Sequence, residues 1–175
     1  SPFGCWGDLD DPNYYGGGYY AEMLKAAYPA IKAVDPDAQV LIGGLLMDCD
    51  PVKPPETFPG SGQPRYCTPS RYLEGILENG GGDFFDGVSF HAYDYYQGAE
   101  GRFANGNWYS AWNTTGPVTA AKARYIRSVL AAYGYSDKFL MNTENALLCG
   151  QDGNEPECQN DSYNSTKAYY VAQSN

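Results

Sequence analysis

Apolar residues recur every three to four positions in four stretches of this chain, and three shorter stretches between them run apolar almost without a break. Over 19–34, YYAEMLKAAYPAIKAV, residues Met23, Leu24, Ala27, Ile31 and Val34 fall at helical spacing. Pro29 sits inside that pattern. It has no N–H to donate and its ring crowds the preceding turn, so it predicts a kink or a division there. Asp35-Pro36-Asp37 ends the helix, and AQVLIGGLL (38–46) reads as the first strand. A loop rich in Pro and Gly spans 48–68. Thr68 then stands as an N-cap, with Pro69 at the first helical position before SRYLEGILE. Gly80-Gly81-Gly82 stops that helix, and FDGVSFHAY (85–93) is the second strand. A second long loop, 94–117, leads to the strongly periodic VTAAKARYIRSVLAAY (118–133), with Gly134 as its stop. KFLMNTE (138–144) is the third strand, and the last helix starts at about Thr166.

Helices alternating with apolar strands imply an α/β fold whose strands are parallel and buried on both faces. The connections are uneven. Helix-to-strand links (35–37, 79–84 and 134–137) are short, whereas strand-to-helix loops are long and carry Tyr, Trp, Asp and Cys. Function in such folds gathers at the carboxyl ends of the strands, where Asp48, His91 and Glu144 fall. Three strands cannot close a sheet, and a (β/α)₈ barrel takes about 250 residues. The expectation is therefore one partial domain over 1–175, a portion of a TIM barrel. An open doubly wound sheet is the competing architecture, but it calls for a Gly-rich phosphate loop directly between strand and helix. Gly43-Gly44 lies inside a strand and Gly16-Gly17-Gly18 has no strand before it, so both read as packing or turn glycines.

Composition narrows the partners. A formal charge of −10 argues against nucleic acid and anionic membranes, both of which need a basic footprint. No apolar run approaches the ~20 residues of a membrane helix. The chain opens on Ser1-Pro2-Phe3 without an initiator Met or a signal-peptide pattern, and closes at Asn175 inside a helix-like run, which reads as a piece of a longer protein. Of five cysteines, Cys49 and Cys67 bracket the first long loop and Cys149 and Cys158 bracket the third. Local pairing of each is expected, with Cys5 left over, and disulfides imply an oxidising, extracellular setting.

Several side chains are candidates for chemistry. KFLMNTENAL (138–147) sends Phe139, Leu140 and Met141 toward a core and then meets Glu144. A buried acid at such a point is either a helix cap or a reacting group. His91 is the single histidine, and with no His, Cys or Asp clustered at ligand spacing neither a metal nor another cofactor is expected. MDCD (47–50) reads as a turn. Trp6, Trp108 and Trp112 lie in carboxyl-side loops, as platforms for a sugar ring or as loop anchors. Asn113, Asn160 and Asn164 head weak glycosylation sequons.

YPAIKAVDPDAQVLIGGL, FFDGVSFHAYDYY and KFLMNTENAL, in that order, resemble the clan A retaining glycoside hydrolases, which are (β/α)₈ barrels. They look like that family's fourth helix with fifth strand, its sixth strand and its seventh, and the likeness runs from about residue 14 to the end. The resemblance implies a β-glycosidase acting on an oligo- or polysaccharide, with Glu144 as nucleophile. Tyr93 would support that nucleophile through its hydroxyl, and His91 would line the sugar site. Asn142 and Asn145 are further donors to the carboxylate. The family's acid/base is the Glu of an Asn-Glu pair ending strand four, upstream of Ser1, so the missing N-terminal half of the barrel becomes an expected partner and these residues alone are expected to be inactive. Asn154-Glu155-Pro156 imitates that pair but lies in a loop between two cysteines and reads as a turn. The rival reading is a non-catalytic carbohydrate-binding or surface-assembly protein. An aldolase-like barrel would need a lysine at a strand's carboxyl end, and Lys138 begins its strand.

Overall fold

Alternation along GVSFHAYDYY builds the centre of the molecule. In strand β2 (Gly87–Tyr96), Val88, Phe90, Ala92, Asp94 and Tyr96 are buried, while His91, Tyr93 and Tyr95 are half-buried. The computed structural model describes residues 7–8, 10–47, 49–52, 67–105, 112, 114, 116–150 and 154–174. Strand β2 pairs in parallel with β1 (Leu41–Leu45) on one side and with β4 (Phe139–Leu148) on the other. A two-residue strand, β3 (Phe103–Ala104), folds back antiparallel on Tyr95 and Tyr96. The long loop expected after the second strand thus begins as a hairpin, with Gly98 and Gly101 supplying its left-handed turns at φ 73° and 70°.

Helix α1 (Gly17–Val34) packs on α2 (Tyr72–Glu78), α2 touches α3 (Val118–Ala132), α3 lies on β2 and β4, and α4 (Asp161–Ser174) lies on β4. The main core forms where Ala21 and Leu24 of α1, Leu73 and Ile76 of α2, and Ile126 and Leu130 of α3 meet Ile42, Val88, Phe90 and Ala92 of the sheet. Each such fully buried aliphatic or aromatic side chain contributes about 1.5–3 kcal/mol over an exposed one. Tyr96, Leu147, Tyr170 and the Cys149–Cys158 pair form a smaller cluster beneath α4.

Several expectations change. Helix α1 continues through Pro29 without division. Thr68 is not a cap: Cys67 precedes a 3₁₀ turn, Thr68–Arg71, that leads into α2. Helix α4 starts at Asp161, because Asn160 Oδ1 accepts the Tyr163 N–H at 2.8 Å and opens the helix a turn earlier than periodicity suggests. Strands β2 and β4 run on to Tyr96 and Leu148, so Glu144 lies within its strand and not at its end. The largest difference concerns burial. Among the described residues helices cover one face of the sheet only, and β4 has one partner strand, leaving Phe139 37% and Met141 50% exposed. No helix among the described residues is long and apolar enough to cross a membrane.

Candidate functional site

The open face of the sheet is shaped by two register irregularities at the same level. On β4, Phe90 is matched to Asn142 and the next residue, His91, to Glu144, so Thr143 is an extra residue. Such a bulge reverses the alternation beyond it and re-aims the following side chains. Without it Glu144 would share the helix-covered face with Phe90 and Ala92. With it, Glu144 joins His91 and Tyr93 on the open face. On β1, Ile42 matches Val88 but Leu45 matches Phe90, and Gly43-Gly44 absorb the additional residue.

Three side chains converge there. The Tyr93 hydroxyl donates to Glu144 Oε2. His91 Nδ1 stands 3.4 Å from the same oxygen, an ion-pair distance when the ring is protonated. The rings of His91 and Tyr93 meet edge to face, with centroids 6.5 Å apart. Glu144 Oε1 has no protein partner among the described residues. The side chain of Glu144 is 53% exposed, which corrects the expectation of a buried acid: β4 is open on one face and one edge, so the carboxylate keeps water. Asn142 and Asn145 do not donate to it. Both lie on the helix side, Asn142 in register with Phe90 ahead of the bulge and Asn145 turned there by it; Asn145 Oδ1 accepts from the Tyr170 hydroxyl at 2.8 Å, and Asn142 Oδ1 is buried without a partner among the described residues.

Behind the site lies a layer of polar groups with no counterpart in the sequence reading. Lys122 of α3 is 1% exposed, and its ammonium donates to the carbonyls of Leu46 at 2.5 Å and His91 at 3.0 Å. It thereby ties the end of β1 to the middle of β2. Asp94, also fully buried, accepts the Val118 N–H at 2.8 Å and so caps the start of α3. Burial pushes its carboxyl above the ordinary value, against the Val118 N–H, the nearby Tyr170 hydroxyl and the Lys122 charge. An interior Lys reads in sequence as a surface residue of an amphipathic helix, so nothing in the pattern of 118–133 singles it out.

Loops at the carboxyl side are fastened. Disulfides join Cys49 to Cys67 and Cys149 to Cys158, the local pairings expected. Trp112 is 5% exposed, packs against Tyr125 and donates its indole N–H to the Met47 carbonyl at 2.7 Å. It anchors the loop and offers no free face for a sugar. Met47 holds a left-handed backbone at φ 47°, unusual for a side chain of this kind. Glu155 lies in the Cys149–Cys158 loop, off the sheet, at the head of a 3₁₀ turn, Pro156–Gln159. Asn160 and Asn164 are exposed at the start of α4, and Thr166, the third residue of the Asn164 sequon, is fully buried. Cys5, Trp6, Asp48, Trp108 and Asn113 lie outside the described residues. Among the described residues no three His, Cys, Asp or Glu gather as for a metal ion.

No family model, curated protein or solved structure matches the chain.

Proposed function

We propose that this chain carries the nucleophile half of a secreted retaining β-glycosidase, with Glu144 as the attacking carboxylate. The observation that carries the reading is the Tyr93 hydroxyl on Glu144 Oε2, on a carboxylate side chain that is 53% exposed. A retaining enzyme needs an ionised carboxylate that forms a covalent glycosyl ester, and a second carboxyl that protonates the departing oxygen. A hydrogen bond to one oxygen orients the carboxylate while the other attacks the anomeric carbon. In that step the C–O bond to the leaving group breaks as the Oε1–C bond forms.

The second acid is proposed to come from preceding sequence, on a strand that pairs with the outer edge of β1. Consecutive order of the parallel strands, helices packed in series and a sheet face left uncovered all suit a segment of a closed barrel. Two disulfides suit an extracellular protein.

The test avoids the missing acid. A 2-deoxy-2-fluoro glycoside with a dinitrophenolate leaving group needs no protonation, so the nucleophile alone suffices to form the ester. Incubation of the chain with gluco-, xylo-, galacto- and manno-configured reagents, followed by peptide mass mapping, is expected to place a glycosyl adduct on Glu144. An adduct on another carboxylate, or none with any reagent, would leave the carbohydrate-binding alternative standing.

A further inference from the structure

His91 lies between two strands that are not its own. Its Nδ1 faces Glu144 on β4, while its other edge lies against β1 at Gly44. A Cβ placed on Gly44 would overlap His91 Nε2 and come within 2.6 Å of Cε1 and 2.7 Å of Cδ2. Real Cβ atoms do not approach so closely, so any side chain at 44 displaces the ring. Gly44 does not have the positive φ seen at Gly16, Gly80 or Gly134. Its backbone suits an L-residue, and the demand for glycine there is made by the imidazole and not by the main chain. Meanwhile Lys122 holds the His91 carbonyl from the opposite side of the sheet, so the His91 backbone is fixed and only the ring can yield.

We propose that Gly44 is a positioning residue: by lacking a side chain it seats the His91 ring across the sheet, and the seated ring sets the rotamer of Glu144. His91 then acts on the carboxylate, as a wedge held from β1, in place of the sugar-contact role implied by family resemblance. The consequence for catalysis rests on the glycosidase reading. The clamp itself does not.

The chain has one histidine, so its imidazole resonances are assigned without ambiguity. In the wild-type chain, Glu144→Gln is expected to shift the His91 ring ¹⁵N and ¹H signals, because Nδ1 loses a charged neighbour. In a Gly44→Ala background the same substitution is expected to leave them unmoved, because the ring has swung away. Overpacking should lower the melting temperature of Gly44→Ala by roughly 5 °C. His91→Ala should abolish that loss, since alanine at 44 then meets no ring. If Gly44→Ala fails to fold, the Gly44→Ala/His91→Ala double variant must fold. Overturning results are equal Glu144→Gln shifts in both backgrounds, no shift in either, or a double variant as damaged as Gly44→Ala alone. If the clamp passes and Glu144 takes no glycosyl label, the glycosidase reading falls and the clamp stands.

Discussion

The two faces of β2 differ in what their residues are asked to do. Val88, Phe90 and Ala92 point toward the helices, where each is at most 3% exposed and belongs to the main hydrophobic core. His91 and Tyr93, one position out of phase, point the other way, half-open to water and in contact with a carboxylate. One face is a core; the other is an arrangement of polar groups held by it. The difference shows how a strand of period two can serve stability and chemistry together, since alternate side chains face the core and the site.

The strongest way to break that comparison is to damage the core face and read both. Phe90→Ala removes a ring that is 3% exposed and is expected to cost about 3–5 kcal/mol in urea unfolding. Met141→Ala, on the open face at 50% exposure, should cost less than about 1 kcal/mol. Equal losses would mean that the open face is covered in solution.

Removing the Cys149–Cys158 bridge comes next in size. The loop it closes spans a separation of 9 residues, and releasing it should cost about 3 kcal/mol through the unfolded chain's regained freedom. Cys149→Ser with Cys158→Ser loosens the cluster under α4 but should leave the His91 imidazole signals where they were. Signals that moved with the bridge would show the open face to depend on the α4 cluster, and the division between faces would blur.

The sequence pattern carried much of this division and missed its hinge. Met23, Leu24 and Ala27, or Val118, Ile126 and Val129, repeat at helical spacing because a helix buries one stripe, so α1 and α3 were legible. The disulfides were legible because each pair brackets one loop. That Tyr93 meets Glu144, with His91 beside them, was expected from the resemblance to the retaining glycoside hydrolases; the pattern of the strands alone placed only His91 and Glu144 at the same end of the sheet. The Thr143 bulge was not legible, since register belongs to a pair of strands and a single strand's alternation cannot report it. For the same reason Asn142 looked like a partner of Glu144: flat alternation puts residues 142 and 144 on one face, and only the bulge separates them. Lys122 and Asp94 escaped notice because their burial depends on tertiary neighbours, the carbonyls of Leu46 and His91 and the first turn of α3.

Asp94 offers a finer test, because it is the one carboxylate on the core face of β2. Burial raises its pKa above the ordinary 3.8, so the folded chain binds this proton more tightly than the unfolded one. By linkage its contribution to stability is greatest below about pH 3.8 and falls as pH rises to the folded-state value, then levels off. Asp94→Asn has no such dependence, and its amide oxygen can still accept the Val118 N–H. Relative to wild type, the variant should therefore gain stability as pH rises from about 3 to about 7, an effect smaller than that of the disulfide. Urea midpoints for both proteins across that range check the sign. The reverse slope would show that the Lys122 charge and the Val118 N–H outweigh burial, and that Asp94 is held as an anion.

The smallest change in stability is expected on the open face, at Tyr93→Phe. The lost hydroxyl donates to a carboxylate that is 53% exposed, and water replaces it readily. Melting temperature should fall by no more than about 3 °C, corresponding to less than about 1 kcal/mol. The rate of glycosyl-adduct formation at Glu144 should respond far more. A hydrogen bond to a charged group is worth about 1.5–3 kcal/mol, and at 1.36 kcal/mol per factor of ten the loss corresponds to roughly 10- to 100-fold slower labelling. Asp94→Asn, on the other face, should leave that rate within about twofold. A Tyr93→Phe chain that melts much lower yet labels at the wild-type rate would reverse the assignment, making the Tyr93–Glu144 contact part of the scaffold.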